Sequence, residues 1–482
     1  MSRQDPPVTT GRGPRPRRGL SRYLLAVGLV VMLAGLLFGY DQGVISGALA
    51  GIGKSFHPGT LVSEIITSWV TLGAMAGALA AGWLADRLGR RAAIIVAAGI
   101  FVAGALLEAL APGTGILVAG RLVLGAGVGI ASVAAPLYGA ENAPARDRGR
   151  FVSLYQMAVT IGIFVAYFAD YLLISGGRWR LMLGISVVPG VLLLVAVLPL
   201  GDSARWYAQA GRRDKAGAML RRAEPHADVS AQLADIERAV SQKPASWGEV
   251  FAARWRRPLL TAAGLAVLQQ LTGINSVIYY ADTVFAAAGF KSPVSQSLAT
   301  LWAVGGVNVV ATLVAVIWVD RFGRKPLLLI GSAGMCLSLA VVGGAFFSLG
   351  NATAGHAASG PANAQILALV GVVVFIASFA FSLGPVVWTV INEIFPAHIR
   401  ARGVAVATAV NWLAAWLVAQ FFLSLVSAIS RPGAFLVFAG FCALTFVFVR
   451  WFVPETKGRT LEQIQQMWSD PAVLREALST WE

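Results

Sequence analysis

Groups that enzymes and disulfide scaffolds depend on are scarce here: two cysteines and four histidines in 482 residues, with Asp, Glu, Lys and Arg together at only 13%. Cys336 and Cys442 both fall in apolar runs, so the sequence offers no disulfide framework and no metal cluster. His57, His226, His356 and His398 fall in expected loops or tails, and no nucleophile–base pair accompanies them, which argues against an enzyme and gives no sign of a cofactor. So little charge also excludes a soluble domain, whose surface would run short of polar groups. What is abundant is apolar: 57% of the residues are hydrophobic and the mean hydropathy is positive.

Apolar runs of about 20 residues, each long enough to cross a bilayer as a helix, recur at 24–49, 65–85, 92–112, 116–138, 151–174, 180–200, 259–287, 296–319, 326–348, 362–390, 402–428 and 434–453. The first is too long for a signal peptide and lacks a cleavage pattern after its apolar core, so it reads as a span. Of the 38 basic residues, 32 lie in segments on the same side as the N-terminus. Only Lys54, Arg178, Arg180, Lys291 and Arg431 lie opposite, and Arg121 lies within a span. The positive-inside bias therefore predicts a multi-pass protein of the cell membrane with both termini cytoplasmic. The same bias accounts for the net charge of +15 without nucleic acid as a partner.

The chain repeats itself. "DRLGRR" (Asp86 to Arg91) follows the second span and "DRFGRK" (Asp320 to Lys325) the eighth. Glu141, Pro144 and Arg148 follow the fourth span, and Glu393, Pro396 and Arg400 follow the tenth at the same intervals. "GDSAR" closes the sixth span and "PETKGR" the twelfth. The reading is an all-α membrane protein of twelve helices in two pseudo-symmetric six-helix bundles, with short intracellular helices. Its parts are a disordered basic tail (1–22), an N-terminal bundle (23–200), a cytoplasmic helical linker (201–257), a C-terminal bundle (258–453) and a cytoplasmic tail (454–482).

These paired loops, together with "QQLTGIN" in the seventh span and "PETKGRTLEQI" after the last, resemble the sugar porter family of the major facilitator superfamily. The likeness extends from about Tyr23 to Met467. One feature departs from the pattern: Gly201 to Arg205 keep the acid and the arginine of the usual P-E-S-P-R but neither proline, which leaves the local turn open. The resemblance implies a major facilitator fold and import of a monosaccharide by alternating access, with no enzymatic activity.

Independently of the family, amides within spans are costly in hydrocarbon and must face a cavity or another helix. Gln156, Gln269, Gln270, Asn275, Asn308, Asn411 and Gln420 all lie in spans, and Gln269, Thr272, Ser276 and Tyr280 make one polar stripe along the seventh. Helix–helix hydrogen bonding competes with a wet pocket as the explanation. Gly273 interrupts this helix, and a break there would turn Gln270 and Asn275 toward one space. Amides can replace water around a neutral polar solute, and the aromatic faces of Tyr279, Trp388 and Trp412 can stack on its C–H side. The resemblance sharpens this, assigning sugar contacts to Gln156, Gln269, Gln270, Asn275, Tyr279, Asn308, Asn411 and Trp412, with Trp388 beside the pocket and Phe38 closing one side. Ile163 stands where some members carry a second glutamine, so the sugar, a hexose such as glucose or else a pentose or polyol, does not carry over.

Asp41, in "FGYDQGVISG", is a carboxylate in an otherwise uncharged run. At 1.5 Å per residue it sits about 25 Å above residue 24, in the outer half, and Arg121 lies about 8 Å below the external end of its own span. The two share a depth and form the expected pair. A pair that a proton can break links protonation to helix packing; a static pair fixing two helices is the alternative. The resemblance implies proton coupling, because proton-coupled sugar porters carry Asp at this position and many facilitators Asn. A facilitator without coupling is the rival. Asp282, Asp170 and Glu108 lie near span ends and are expected at the interface. On the cytoplasmic side, Asp86, Arg87, Arg90, Arg91, Glu141 and Arg148, with Asp320, Arg321, Arg324, Glu393 and Arg400, are expected to form ion pairs across the face when the cavity opens outward; in the family such bridges hold the inward gate shut and break on switching. Gly73/Gly77 and Gly125/Gly129 provide for close helix approach. The chain is expected to act as a monomer in a lipid bilayer.

Overall fold

A computed structural model describes residues 21–144, 147–224, 228–241, 246–349, 362–458, 463–464, 467–468 and 470–479. Most of the expected basic tail, residues 1–20, lies outside them. Among the described residues, eleven helices are long and apolar enough to cross a membrane: α1 (Arg22–Phe56), α2 (Thr60–Leu88), α3 (Arg90–Ala109), α4 (Thr114–Asn142), α5 (Arg148–Gly176), α6 (Trp179–Val197), α8 (Pro293–Trp318), α9 (Arg324–Leu349), α10 (Asn363–Glu393), α11 (Ile399–Gln420) and α12 (Arg431–Phe452). The remaining expected span, α7, is present as three consecutive helices, Arg256–Leu271, Ile274–Tyr279 and Ala281–Ala287. The break comes from Gly273, whose φ of +84° is a left-handed conformation that costs glycine nothing and other residues about 1–2 kcal/mol.

Ser21 starts α1 by accepting a hydrogen bond from the Leu24 N–H at 3.2 Å, which satisfies one of the free donors of the first turn. Within the first half α1 packs on α5, and α4 on both α2 and α3; within the second α9 packs on α10 and α12. Between halves, α2 meets α11 and α5 meets α8. The α2–α4 approach is made by the expected glycines. A Cβ placed on Gly73 would lie 2.2 Å from the Leu122 carbonyl oxygen, and one on Gly129 would lie 2.0 Å from that of Ala74. Large apolar side chains such as Leu25, Trp83, Leu172, Leu337, Ile366 and Trp451 point outward, as a hydrocarbon surround demands.

The expected linker is helical where it is described, with Ala204–Gln209, Arg213–Ala223, Val229–Ser241 and Trp247–Val250. The C-terminal segment carries a further helix, Pro471–Ser479. The loops α2–α3, α4–α5, α8–α9 and α10–α11 share one face of the molecule, called the basic face below.

Candidate functional site

Asp41 and Arg121 meet as the depth argument expected. Arg121 Nη1 lies 2.6 Å from Asp41 Oδ1, and its Nε donates to the Ile66 carbonyl at 3.0 Å. The guanidinium is fully buried and Asp41 is 2% exposed, so each charge depends on the other for compensation. A third ionisable group was expected elsewhere: Glu108, at the end of α3, is 1% exposed, with Oε2 3.7 Å from the same Nη1. Glu108 is buried because α3 leans on Gly120 of α4, where a Cβ would come within 2.7 Å of Glu108 Cγ. Asp170 and Asp282 are likewise buried and not interfacial. Asp170 accepts from the Gly47 N–H at 3.1 Å, and Asp282 accepts from the Thr300 hydroxyl while its own N–H donates to Ser46 at 3.0 Å. Glu108 and Asp170 are covered by neighbouring helices of their own half, and Asp282 by α1 of the other.

Four of the expected amides form one connected network. Gln269 donates to the Leu383 carbonyl at 2.7 Å and accepts from Gln270 at 3.3 Å and from Asn411 at 3.0 Å. Asn275 donates to Gln270 at 2.7 Å, the convergence that the Gly273 break was expected to allow. The rest of the α7 stripe does not join them: Thr272 turns back to the Gln269 carbonyl, and Tyr280 donates to the Ala419 carbonyl across to α11. Asn308 accepts from Thr312 at 3.5 Å. Gln156 and Trp388 are half-buried, and among the described residues Gln156 takes no hydrogen bond.

A narrow cleft, too tight in this arrangement to admit a water molecule, lies where the halves meet, lined by Phe38, Asp41, Gln42, Val70, Thr71, Ala74, Val128, Tyr279 and Trp412. Phe38 and Trp412 close one side, ring centroids 5.6 Å apart, and Gln42 donates to the Tyr279 hydroxyl at 3.4 Å. Sequence reasoning passed over Gln42 and Thr71; the signal available for Gln42 was its place beside Asp41. The carboxylate paired with arginine thus opens onto the same space as the aromatic residues, with the amide network next to it on α7.

The motifs of the basic face build two matching clusters. In the first half Arg90 pairs with Glu141, its Nη2 donating to Oε1 at 3.0 Å, and Ser203 donates to the same carboxylate. In the second, Arg324 lies 3.0 Å from Glu393, to which Thr456 donates. The sixth-span departure proves harmless, because Asp202 needs no proline to accept from the Arg90 and Arg91 N–H groups, and Ser203 caps the helix that follows. Glu455 does the same for the Arg324 and Lys325 N–H groups. Gly89 and Gly323, the glycines of the two D-R-x-G-R loops, have φ of +100° and +93°, and a Cβ on either would meet these carboxylates. Burial pushes the Asp202 carboxyl above the usual aspartate range, and the backbone N–H groups and Arg90 pull against it.

These pairs lie within halves; the bridges expected across the face belong to the opposite arrangement, in which the cavity opens outward. Arg90 also reaches Asp86 at 3.3 Å. Arg91 donates to the Leu198 carbonyl, and Arg87 stacks on Trp83. Arg400 donates to the Phe395 carbonyl in place of Glu393, and Arg148 and Arg321 are exposed. The Asp320 side chain lies outside the described residues. Hydrogen bonds between the halves occur on the far side from the basic face: Ser68 to Gln420, Ser424 to Glu64, Gln42 to Tyr279, Asp282 to Ser46 and Tyr167 to the Ile278 carbonyl. That far side is closed.

Comparison with known proteins adds independent findings. The family profile described as "Sugar (and other) transporter" matches residues 27–468. A galactose-proton symporter of Escherichia coli K12 is 38% identical over 448 residues, 92% of this chain and 94% of its own. An arabinose-proton symporter of the same strain is 38% identical over 459 residues, 94% and 95% of the two chains. Among solved structures, the xylose transporter XylE from E. coli in a partially occluded inward-open conformation aligns with a TM-score of 0.78 at 29% identity, covering 91% of this chain and all of that one.

Proposed function

Because the chain belongs to the sugar transporter family, and is accordingly a transporter with a major facilitator fold and not an enzyme, we propose that it imports a monosaccharide, a hexose in the first instance, together with a proton. The observation that carries this reading is the shared cleft: the Asp41 carboxylate, held by Arg121, lines the same space as Phe38, Tyr279 and Trp412. Named relatives that couple galactose and arabinose to protons support it.

Protonation of Asp41 releases Arg121 and changes the relative stability of two arrangements of the halves. Sugar bound to the amides of α7 and α11 favours the same change, so that the two cargoes cross together. Moving one proton inward supplies about 2.3 kcal/mol per 100 mV and about 1.4 kcal/mol per pH unit. Gln156, Asn308 and Trp388 complete the sugar site when the halves rock. The Arg90–Glu141 and Arg324–Glu393 clusters keep the basic-face ends of their own helices in place, and meet across that face when it closes. In this reading the protein is a monomer of the cell membrane with both termini cytoplasmic.

The test is sugar uptake by proteoliposomes with and without an imposed pH gradient. Accumulation above equilibrium that collapses when the gradient is abolished supports the symporter. Equilibration alone identifies a facilitator.

A further inference from the structure

We propose that Glu108 is a second proton-binding carboxylate of the coupling site, sharing one proton with Asp41 across the Arg121 guanidinium. The inference rests on the symport reading and deepens it.

The geometry is a buried triad with two acids and one base. Asp41, Glu108 and Arg121 are 2%, 1% and 0% exposed, and Nη1 faces both carboxylates, at 2.6 Å and 3.7 Å. Two atoms of the triad remain unsatisfied, Glu108 Oε1 and Arg121 Nη2. Groups left without partners at full burial are costly unless they are used at another stage of a cycle. With both acids ionised the site would carry a net charge of −1 in apolar packing; one bound proton restores neutrality.

Among the described residues no other charge compensates the second acid. From α2 the site receives only the Ile66 carbonyl, since Glu64 is turned to Ser424. From α6, Arg180 is turned to the Ala111 carbonyl and to the ring of Trp179. From α7 the neighbouring titratable group is the Tyr279 hydroxyl, which Gln42 engages. The proton must therefore reside on Asp41 or Glu108, and the pair titrates as a unit.

The consequence for the cycle is a handover. In a site with one acid, a proton reaching Asp41 leaves a buried guanidinium without a partner. In this site the Asp41 oxygen gains an O–H bond, Nη1 releases it, and Glu108 moves about 1 Å to take the guanidinium at ordinary hydrogen-bond distance. When Asp41 gives its proton to water on the other side, Arg121 returns to it. Glu108 thereby raises the proton affinity of Asp41 in two ways: as an unfavourable neighbour to the Asp41 anion, and as a replacement partner for the arginine.

The experiment is the pH dependence of sugar accumulation by the reconstituted full-length chain and its Glu108→Gln variant. The expected result is that the pH at which accumulation falls to half moves down by one unit or more, about a tenfold loss of proton affinity. An unshifted profile would mean that Glu108 is idle or stays protonated throughout, and would overturn the proposal. If E108Q does not reach the bilayer, Glu108→Asp reports instead. Withdrawing the carboxylate by one methylene moves the profile the same way by less, and again no movement overturns the proposal. A wild type that never accumulates sugar would overturn the symport reading and this inference with it, whereas accumulation with an unshifted variant overturns this inference alone.

Discussion

On the basic face, Arg90, Glu141 and Ser203 of the first half repeat as Arg324, Glu393 and Thr456 of the second. Within the membrane the resemblance ends. The first half holds buried charge, Asp41 and Glu108 around Arg121, while the second holds the linked amides Gln269, Gln270, Asn275 and Asn411. Packing differs too. Several glycines of the first half lie against carbonyl oxygens, Gly39 on Val159 and Gly129 on Ala74 among them, whereas in the second Gly264 lies on the Phe448 ring and Gly343 on the Leu436 side chain. A backbone contact cannot yield, but a ring can rotate. In the proposed reading, one scaffold divides its labour between a stiff half that holds the proton and a half with an interrupted helix that supplies most of the solute contacts.

The largest expected effect comes from Asp41→Asn, which removes the titrating partner of Arg121 and leaves the amides untouched. The accumulation ratio in pH-driven proteoliposomes should fall to one while counterflow exchange of labelled sugar continues; surviving accumulation would break the division of labour. A middle effect tests stiffness. Gly129→Ala drives a Cβ onto a carbonyl and should cost about 1–3 kcal/mol, as overpacking does, whereas Gly264→Ala displaces only the end of a phenyl ring. Thermal unfolding in detergent should show the first variant melting clearly below the second, and equal melting would erase the contrast. The smallest effect belongs to Gln270→Ala, which should weaken sugar binding by about 1 kcal/mol, the worth of one buried hydrogen bond. Titration of binding checks it, and an unaltered dissociation constant would take Gln270 out of the sugar site.

Features set by local sequence were legible beforehand. The D-R-x-G-R loops could be read because their glycine is required by backbone conformation at Gly89 and Gly323. The break at Gly273 and the meeting of Gln270 with Asn275 followed from a single residue, and the Asp41–Arg121 pair from helix rise alone. What depth along one helix cannot reveal is which neighbour covers its end. Glu108, Asp170 and Asp282 looked interfacial for that reason, and only the lean of α3 on Gly120 and the meeting of α1, α5 and α7 explain their burial. Matched acids and arginines on the basic face carry no information on which partner lies nearer in a given arrangement of the halves, so the pairs within each half were not foreseen. Gln42 escaped notice beside a more conspicuous neighbour.

Glu64 is the clasp of the far side. Its carboxylate, wholly enclosed, grips Ser424 through both the N–H and the hydroxyl, at 2.6 and 2.7 Å, and sits at the start of the helix Phe422–Ile429. Together with a handful of neutral hydrogen bonds, each worth about 0.5–1.5 kcal/mol net, it resists parting of the two halves there. Opening that side exchanges these contacts for water, so the cost of parting is set chiefly by how readily the Glu64 carboxylate is rehydrated.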